Sequence, residues 1–299
     1  MHFGRVENVR GLSAELPPDS SRTERFLALP REAETKVYVG CPVWAVPAWV
    51  GDVYPRRTKP SDFLKIYSRT FDTVELNSSF YHMPDPQRVE QWRDDTPPEF
   101  RFCPKVYRGI TEDLASVHLP EMVQRFCETV KLFGSRLGLT FAQFSDRFSP
   151  AQLPQLEKFL ALWPGDVPLA VELRHPGWFR DHALPDAVVN LFYKRGVASL
   201  ITDTAGRRDA LHFSLTQAKV LVRFQGNEGD PLDEARLKSW GRRIAKWREQ
   251  HLEEIYFFTH QPGDALIPHT GRLAARELAG IDIPVVAEEP PPQAQLDLL

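Results

Sequence analysis

Eight short β-rich runs, most of them separated by a helix-sized interval, restrict this chain more than any other feature. They are Val37–Gly40, Thr73–Asn77, Arg101–Lys105, Leu137–Gln143, Pro168–Arg174, Val197–Asp203, Lys219–Gln225 and Glu254–Phe258. Strand–helix alternation implies a parallel sheet with right-handed crossovers. Eight repeats favour closure into a barrel over an open, doubly wound sheet. The expected fold is therefore α/β, a (β/α)8 TIM-barrel-like domain. No Gly-x-Gly-x-x-Gly follows any run, which weakens a dinucleotide-binding sheet.

Three of the intervals open with a capping residue followed by proline: Asp85-Pro86, Ser149-Pro150 and Asp230-Pro231. Proline suits the first helical position because its missing N–H has no partner there in any case. Leu237, Trp240, Ile244 and Trp247 step by three and four, giving one apolar stripe, and Val89 and Trp92 repeat the step. The interval from Asp203 to Lys219 is too short for a full helix. The sixth crossover is expected to be a loop or a single turn.

The 299 residues suit one large α/β domain or two small ones. No linker or composition shift divides the middle, so residues 36–288 read as one barrel domain. Residues 1–35, with Pro17-Pro18 and Asp19-Ser20-Ser21, read as a loosely ordered arm with a short helix near Arg25–Leu29. Residues 289–299, which include Pro290, Pro291 and Pro292, read as an extended tail.

The 37 basic and 40 acidic side chains leave a formal charge of −3, which argues against a protein built to coat nucleic acid. Cys41, Cys103 and Cys127 are odd in number and widely spaced. That argues against a disulfide framework or a structural zinc site, and a reducing, cytoplasmic setting is expected. No stretch approaches the roughly 20 apolar residues of a membrane span. The N-terminus lacks the residue order of a signal peptide.

Barrel strands alternate between residues facing the interior and residues facing the helices. With Val74 and Leu76 against the helices, Glu75 and Asn77 point inward. The same alternation turns Arg101, Cys103 and Lys105 inward, then Gln143, then Glu172 and Arg174. Asp203, which shares a face with Ile201, and Arg223, which shares one with Leu221, complete a charged set at the strand ends. Active sites of such barrels are assembled there. Lys105, Arg174 and Arg223 balance Glu75, Glu172 and Asp203, so the set can also neutralise itself as a salt-bridge network with no ligand.

Smaller motifs add less. Glu172-x-x-His175 has metal-binding spacing for a helix, but it sits at a strand end, so no metal and no cofactor is expected. His175, followed by Pro176, is a candidate proton-transfer group. Trp44, Trp49 and Trp178 lie in loops where they could stack on a sugar or base, although packing is the commoner fate of tryptophan. Phe80 and Tyr81 carry the same ambiguity. Cys41 has no histidine tied to it by sequence and reads as inert.

These residues resemble a known family. Gly40-x-x-x-Trp44, Trp49-x-Gly51, Tyr54-Pro55 and Thr73-Val74-Glu75-x-Asn77-x-x-Phe80-Tyr81 are similar to motifs of the domain of unknown function 72 family, also called YecE-like. So are Pro97-Pro98-x-Phe100-Arg101-Phe102 with Lys105, Gln143, and Glu172-x-Arg174-His175-Pro176-x-Trp178, the most specific piece. Asp203 and Arg223 match later positions. The resemblance runs from about Val37 to about Ala275. It implies a TIM-barrel-like fold and no established activity. Its recurrent polar positions map onto Glu75, Asn77, Tyr81, Lys105, Gln143, Glu172, Arg174, His175, Asp203 and Arg223. The chain departs from the pattern at Cys41-Pro42-Val43 (usually Thr-Ser-Gly), Ser145 (usually proline) and Gln225 (commonly histidine). At Phe258-Thr259 an asparagine pair is usual, so no position of the eighth strand joins the implied set.

Two functions are expected from different classes. One is an enzyme using acid/base chemistry on a small anionic substrate, a phosphorylated sugar or nucleotide. Lys105, Arg174 and Arg223 would clamp the anion, with Asn77, Tyr81, Gln143 and Trp178 as further substrate contacts. Glu75 or Glu172 would act as base, His175 or the other carboxylate as acid, and Asp203 stands with this catalytic group. A glycosidase variant pairs Glu75 with Glu172. The other class is a non-catalytic protein binding an anion, a metabolite or single-stranded nucleic acid, the last disfavoured by the acidic net charge. The oligomeric state is left open.

Overall fold

The computed structural model describes residues 4, 6, 8–29 and 32–285. Its strands are β1 (Lys36–Cys41), β2 (Thr73–Leu76), β3 (Arg101–Pro104), β4 (Thr140–Gln143), β5 (Leu169–Glu172), β6 (Val197–Asp203), β7 (Lys219–Gln225) and β8 (Glu254–His260). They form one parallel sheet in the order β3-β2-β1-β8-β7-β6-β5-β4. The two ends of that sheet meet. Single bridges pair Phe102 with Leu137 and Lys105 with Phe141, and Val106 N–H donates to Phe141 O at 2.9 Å. The result is a nearly closed (β/α)8 barrel, the α/β fold expected from the strand count.

The main helices are α1 (Ser21–Leu27), α2 (Phe63–Thr70), α3 (Pro86–Asp94), α4 (Leu119–Val130), α5 (Leu153–Leu162), α6 (Asp186–Arg195), α7 (Pro231–Glu249) and α8 (Ile267–Ala279). One-turn helices, Ser78–Tyr81 and Arg108–Thr111, sit in the loops after β2 and β3. The capping residues do their expected work. Asp85 accepts the Arg88 N–H at 2.9 Å, and Asp230 accepts the Leu232 N–H at 2.8 Å. Ser149 and Gln152 form a capping box in the turn before α5. The stripe Leu237, Trp240, Ile244 and Trp247 is buried against Ile201, Val222, Phe224 and Phe257 of β6, β7 and β8.

The sixth crossover holds only a single turn, Arg208–Ala210. Without a helix there, the apolar face over β6 and β7 would be bare. The N-terminal helix α1 covers it. Thr23 Oγ1 donates to Phe213 O at 2.7 Å and accepts from Leu215 N–H at 2.8 Å. Leu27 joins the apolar cluster of Phe213, Leu215, Trp240 and Trp247. Buried Asp19 meets Arg243 at 2.8 Å and Lys246 at 2.9 Å on α7. Arg22 reaches Asp186 and Asn190 on α6. Helix α1 thus fills the slot between α6 and α7. The expected tail at 289–299 lies outside the described residues. Among the described residues, no helix is long and apolar enough to cross a membrane.

Inside the barrel, an apolar plug closes the lower part. It comprises Tyr38, Cys103, Leu139, Phe141, Ala170, Ala198, Leu200, Leu221, Tyr256 and Phe258. The Tyr38 and Tyr256 rings stack at 4.9 Å. Gly40 permits β1 to approach β2, because a Cβ there would stand 2.0 Å from Thr73 O. The strand register then sets a polar layer above the plug. Glu75 lies level with Cys103, Gln143 level with Glu172, and Arg223 level with Thr202 and Phe258.

Candidate functional site

The polar layer is a connected network of buried side chains. Arg223 presents its fork to Glu75, with Nε at 3.1 Å from Oε2 and Nη2 at 2.9 Å from Oε1. Its remaining nitrogen, Nη1, reaches Glu172 Oε2 at 3.3 Å. Glu172 Oε1 accepts from Arg174 Nε at 2.5 Å and from Thr202 Oγ1 at 2.8 Å. Glu172 Oε2 also accepts from Gln143 Nε2 at 2.6 Å. The other end of the Gln143 amide accepts from Lys105 Nζ at 2.9 Å. The two contacts together fix the amide's orientation: oxygen to the ammonium, nitrogen to the carboxylate.

Charge follows from these contacts. Burial alone would raise both glutamates. For Glu75, the Arg223 and His260 contacts outweigh it and hold the carboxyl well below the usual range. For Glu172, the charges of Arg174 and Arg223 bring it down to about 2. Both are carboxylates at neutral pH. Burial and the Arg223 and Arg174 charges pull Lys105 down to about 8, against the opposing pull of Glu75 and Glu172. Lys105 Nζ also stands 4.1 Å from the centre of the Phe80 ring.

A cavity of about 470 Å³ opens beside this network. Phe80, Thr111, Gln143, Arg147, Phe148 and Arg174 are among its lining residues. It lies at the C-terminal mouth of the strands, where barrels of this kind assemble their sites.

Of the residues expected at the mouth, Glu75, Lys105, Gln143, Glu172, Arg174 and Arg223 come together there. Asp203 does not. Like Ile201, it faces the helix layer, where it binds Arg236 at 2.8 Å, Trp240 Nε1 at 2.8 Å, and Arg208. The inward residue of β6 is its neighbour Thr202. Asn77 donates to Pro42 O at 3.1 Å, and Tyr81 is exposed and packs edge-on to Phe80. His175 Nδ1 accepts the Gly177 N–H at 3.0 Å, capping the turn that follows β5. Trp178 is buried and donates to Phe148 O at 2.6 Å. Trp49 donates to Asp264 O at 2.8 Å, and Trp44 packs edge-on to Trp92. All three loop tryptophans therefore have packing partners. Burial pushes the Cys41 thiol up to about 12, which leaves it unreactive. Among the described residues, no group of three or more histidine, cysteine, aspartate or glutamate side chains could hold a metal ion.

Three residues join the site without having been expected there. Thr202 was legible from strand alternation, since Asp203 shares the face of Ile201. His260 lies two residues beyond the expected end of β8, and its Nε2 stands 2.9 Å from Glu75 Oε2. Burial lowers its pKa, so the neutral ring donates from Nε2 and keeps Nδ1 as an acceptor. Thr111 comes from a loop helix that no strand pattern marks. Its Oγ1 is buried with no hydrogen-bond partner.

The comparisons agree with this architecture. The family model described as "Protein of unknown function DUF72" matches residues 38–295. UPF0759 protein YecE of Escherichia coli (strain K12) is 31% identical over 250 residues, covering 78% of this chain and 89% of that protein. UPF0759 protein YunF of Bacillus subtilis (strain 168) is 26% identical over 234 residues, covering 73% of this chain and 81% of that protein. A DUF72 family protein from Thermotoga maritima MSB8, solved by crystallography, matches with a TM-score of 0.64 at 25% identity, covering 81% of this chain and 98% of that one. Another, from Enterococcus faecalis V583, matches with a TM-score of 0.67 at 19% identity, covering 85% of this chain and 99% of that one. With the family model spanning most of its length and relatives alike along the same barrel, this chain belongs to the DUF72 family.

Proposed function

We propose that this protein is an enzyme that binds a small anionic substrate, a phosphorylated sugar or nucleotide, in the mouth cavity. Lys105 is its proton-transfer group. One observation carries the reading. With Asp203 turned to the helices, Lys105, Arg174 and Arg223 share one buried network with Glu75 and Glu172, and Arg174 brings its positive charge to a cavity wall that also carries Arg147 and Glu112. Guanidinium groups on a concave wall attract an anion and can bind it through paired hydrogen bonds. Thr111 supports the same reading, because it lines the cavity and its buried hydroxyl has no hydrogen-bond partner among the described residues.

The network also redistributes the expected roles. Glu172 already receives four donors and Glu75 three. A glycosidase pair needs one carboxyl with a raised pKa, and both of these are lowered. They act as fixed anions that hold the arginines in place. Lys105, brought down to about 8, titrates near neutral pH as a general acid or base must. The same saturation of both carboxylates favours a second reading, a non-catalytic anion receptor. The nucleic-acid version loses its support, since the loop tryptophans it needs are engaged in packing.

Calorimetric titration with inorganic phosphate, ribose 5-phosphate and AMP tests the proposal. Binding is expected, weakened at least tenfold (about 1.4 kcal/mol) in Arg174→Met. Equal binding by that variant, or no binding to folded wild-type protein, counts against an anion site. Binding without turnover of any phosphorylated compound selects the receptor.

A further inference from the structure

Lys105 differs from Arg174 and Arg223 in having no ion pair among the described residues. Both carboxylates turn their oxygens to arginines, and among the described residues none lies within ion-pair distance of Nζ. Its neighbours are an amide oxygen and a ring face, those of Gln143 and Phe80. Both of these residues line the cavity, and buried Lys105 lies directly behind them. Ser79 Oγ, within 2.7 Å of both Leu76 O and Lys105 O, pins the turn that carries Phe80 to the end of β3. An amine desolvated beside other cations is the kind of lysine that gives up its proton and becomes a nucleophile. The three cysteines offer no competing nucleophile, since burial raises the pKa of each thiol and keeps it protonated.

We propose that Lys105 attacks the carbonyl carbon of a small aldehyde, ketone or 2-oxo acid that carries an anionic group, and forms an iminium with it. This rests on the reading of the cavity as an anion site, with Arg174 holding the anionic end. The lone pair of the neutral amine forms the C–N bond while the carbonyl π pair moves to oxygen. An N–H proton passes to that oxygen, giving a neutral carbinolamine. One further proton on the hydroxyl lets it leave as water, and the nitrogen lone pair closes the C=N bond. No oxidant or reductant is needed. Thr111 is a residue of the cavity lining whose buried Oγ1 has no hydrogen-bond partner among the described residues, and turning that hydroxyl into the cavity would let it bond the departing oxygen.

Borohydride trapping tests this, because hydride converts an iminium into a stable secondary amine. The full chain is incubated with pyruvate, or with glyceraldehyde 3-phosphate, then reduced and mapped by peptide mass spectrometry. The expected result is an adduct at Lys105 at carbonyl concentrations that leave exposed lysines unmodified. Lys105→Arg keeps the charge and should lose the adduct while keeping the wild-type circular dichroism spectrum and melting transition. Arg174→Met should lower trapping with glyceraldehyde 3-phosphate at least tenfold. Adducts confined to exposed lysines, or none, in protein that binds phosphate would overturn the iminium and leave the anion site standing. The same result in folded protein that does not bind phosphate would overturn both.

Discussion

Two buried charge networks lie on opposite faces of the same sheet. At the mouth, Lys105, Arg174 and Arg223 surround Glu75 and Glu172, and Arg174 lines a cavity. Behind β6, Asp203 and Asp233 face Arg236 and Arg208 under α7. The outer set balances two anions with two cations, and none of the four lines the cavity. Burial of charge alone therefore does not mark a functional site. The mouth network has what the outer one lacks: an arginine on a cavity wall, with space beside it for a ligand. The outer network ties the strand–helix layer together. Asp203 takes a hydrogen bond from Trp240, and Arg236 reaches back to the Asp203 and Gln225 carbonyls.

The largest effect expected from this contrast is on stability. Asp203→Ala leaves Arg236 and Arg208 without their shared anion and should cost about 3–5 kcal/mol. Urea unfolding measures the loss, and phosphate affinity of the folded fraction should not change. A weakened phosphate affinity would merge the two networks into one site.

Glu172→Gln should act differently. It should cost about 2–3 kcal/mol, since hydrogen bonds to charged groups are lost. It also removes one negative charge from the mouth, so saturating phosphate should restore more stability in this variant than in wild type. Paired melting curves with and without phosphate check this. An equal phosphate shift in both proteins would mean that the mouth does not sense its own charge balance.

A smaller effect appears with acid. The Glu172 pKa is depressed from 4.5 in the unfolded chain to about 2 in the folded one. The folded state then binds fewer protons, so this contribution is complete above 4.5 and is lost as pH falls towards about 2. The stability gap between wild type and Glu172→Gln should narrow across that window. A gap that stays constant would deny Glu172 its ion pairs.

Thr111→Val is the smallest structural change. Removing a hydroxyl with no partner should alter stability by less than about 0.5 kcal/mol. Phosphate binding should nonetheless weaken measurably by calorimetry. Unchanged binding would take Thr111 out of the ligand's reach.

Much of this was legible in the chain. The strand runs and the proline caps carry the barrel, because alternation and capping are local properties. Glu75, Lys105, Gln143, Glu172, Arg174 and Arg223 follow from strand alternation alone. Asp203 fails for a definite reason: a one-residue choice at a strand end moves a side chain to the opposite face. His260 was missed because β8 runs past the expected end. The role of α1 as the missing sixth helix was hidden for another reason. Thr23 meets Phe213 across 190 positions of sequence, and no local pattern records so distant a contact.

The central claim is that the mouth network holds an anion. Diffraction from crystals soaked in selenate, a tetrahedral dianion with an anomalous signal, tests it most directly. The account predicts an anomalous peak inside the cavity, within hydrogen-bond reach of Arg174 and Thr111. Peaks only at exposed surface arginines, with none against Arg174, would contradict it.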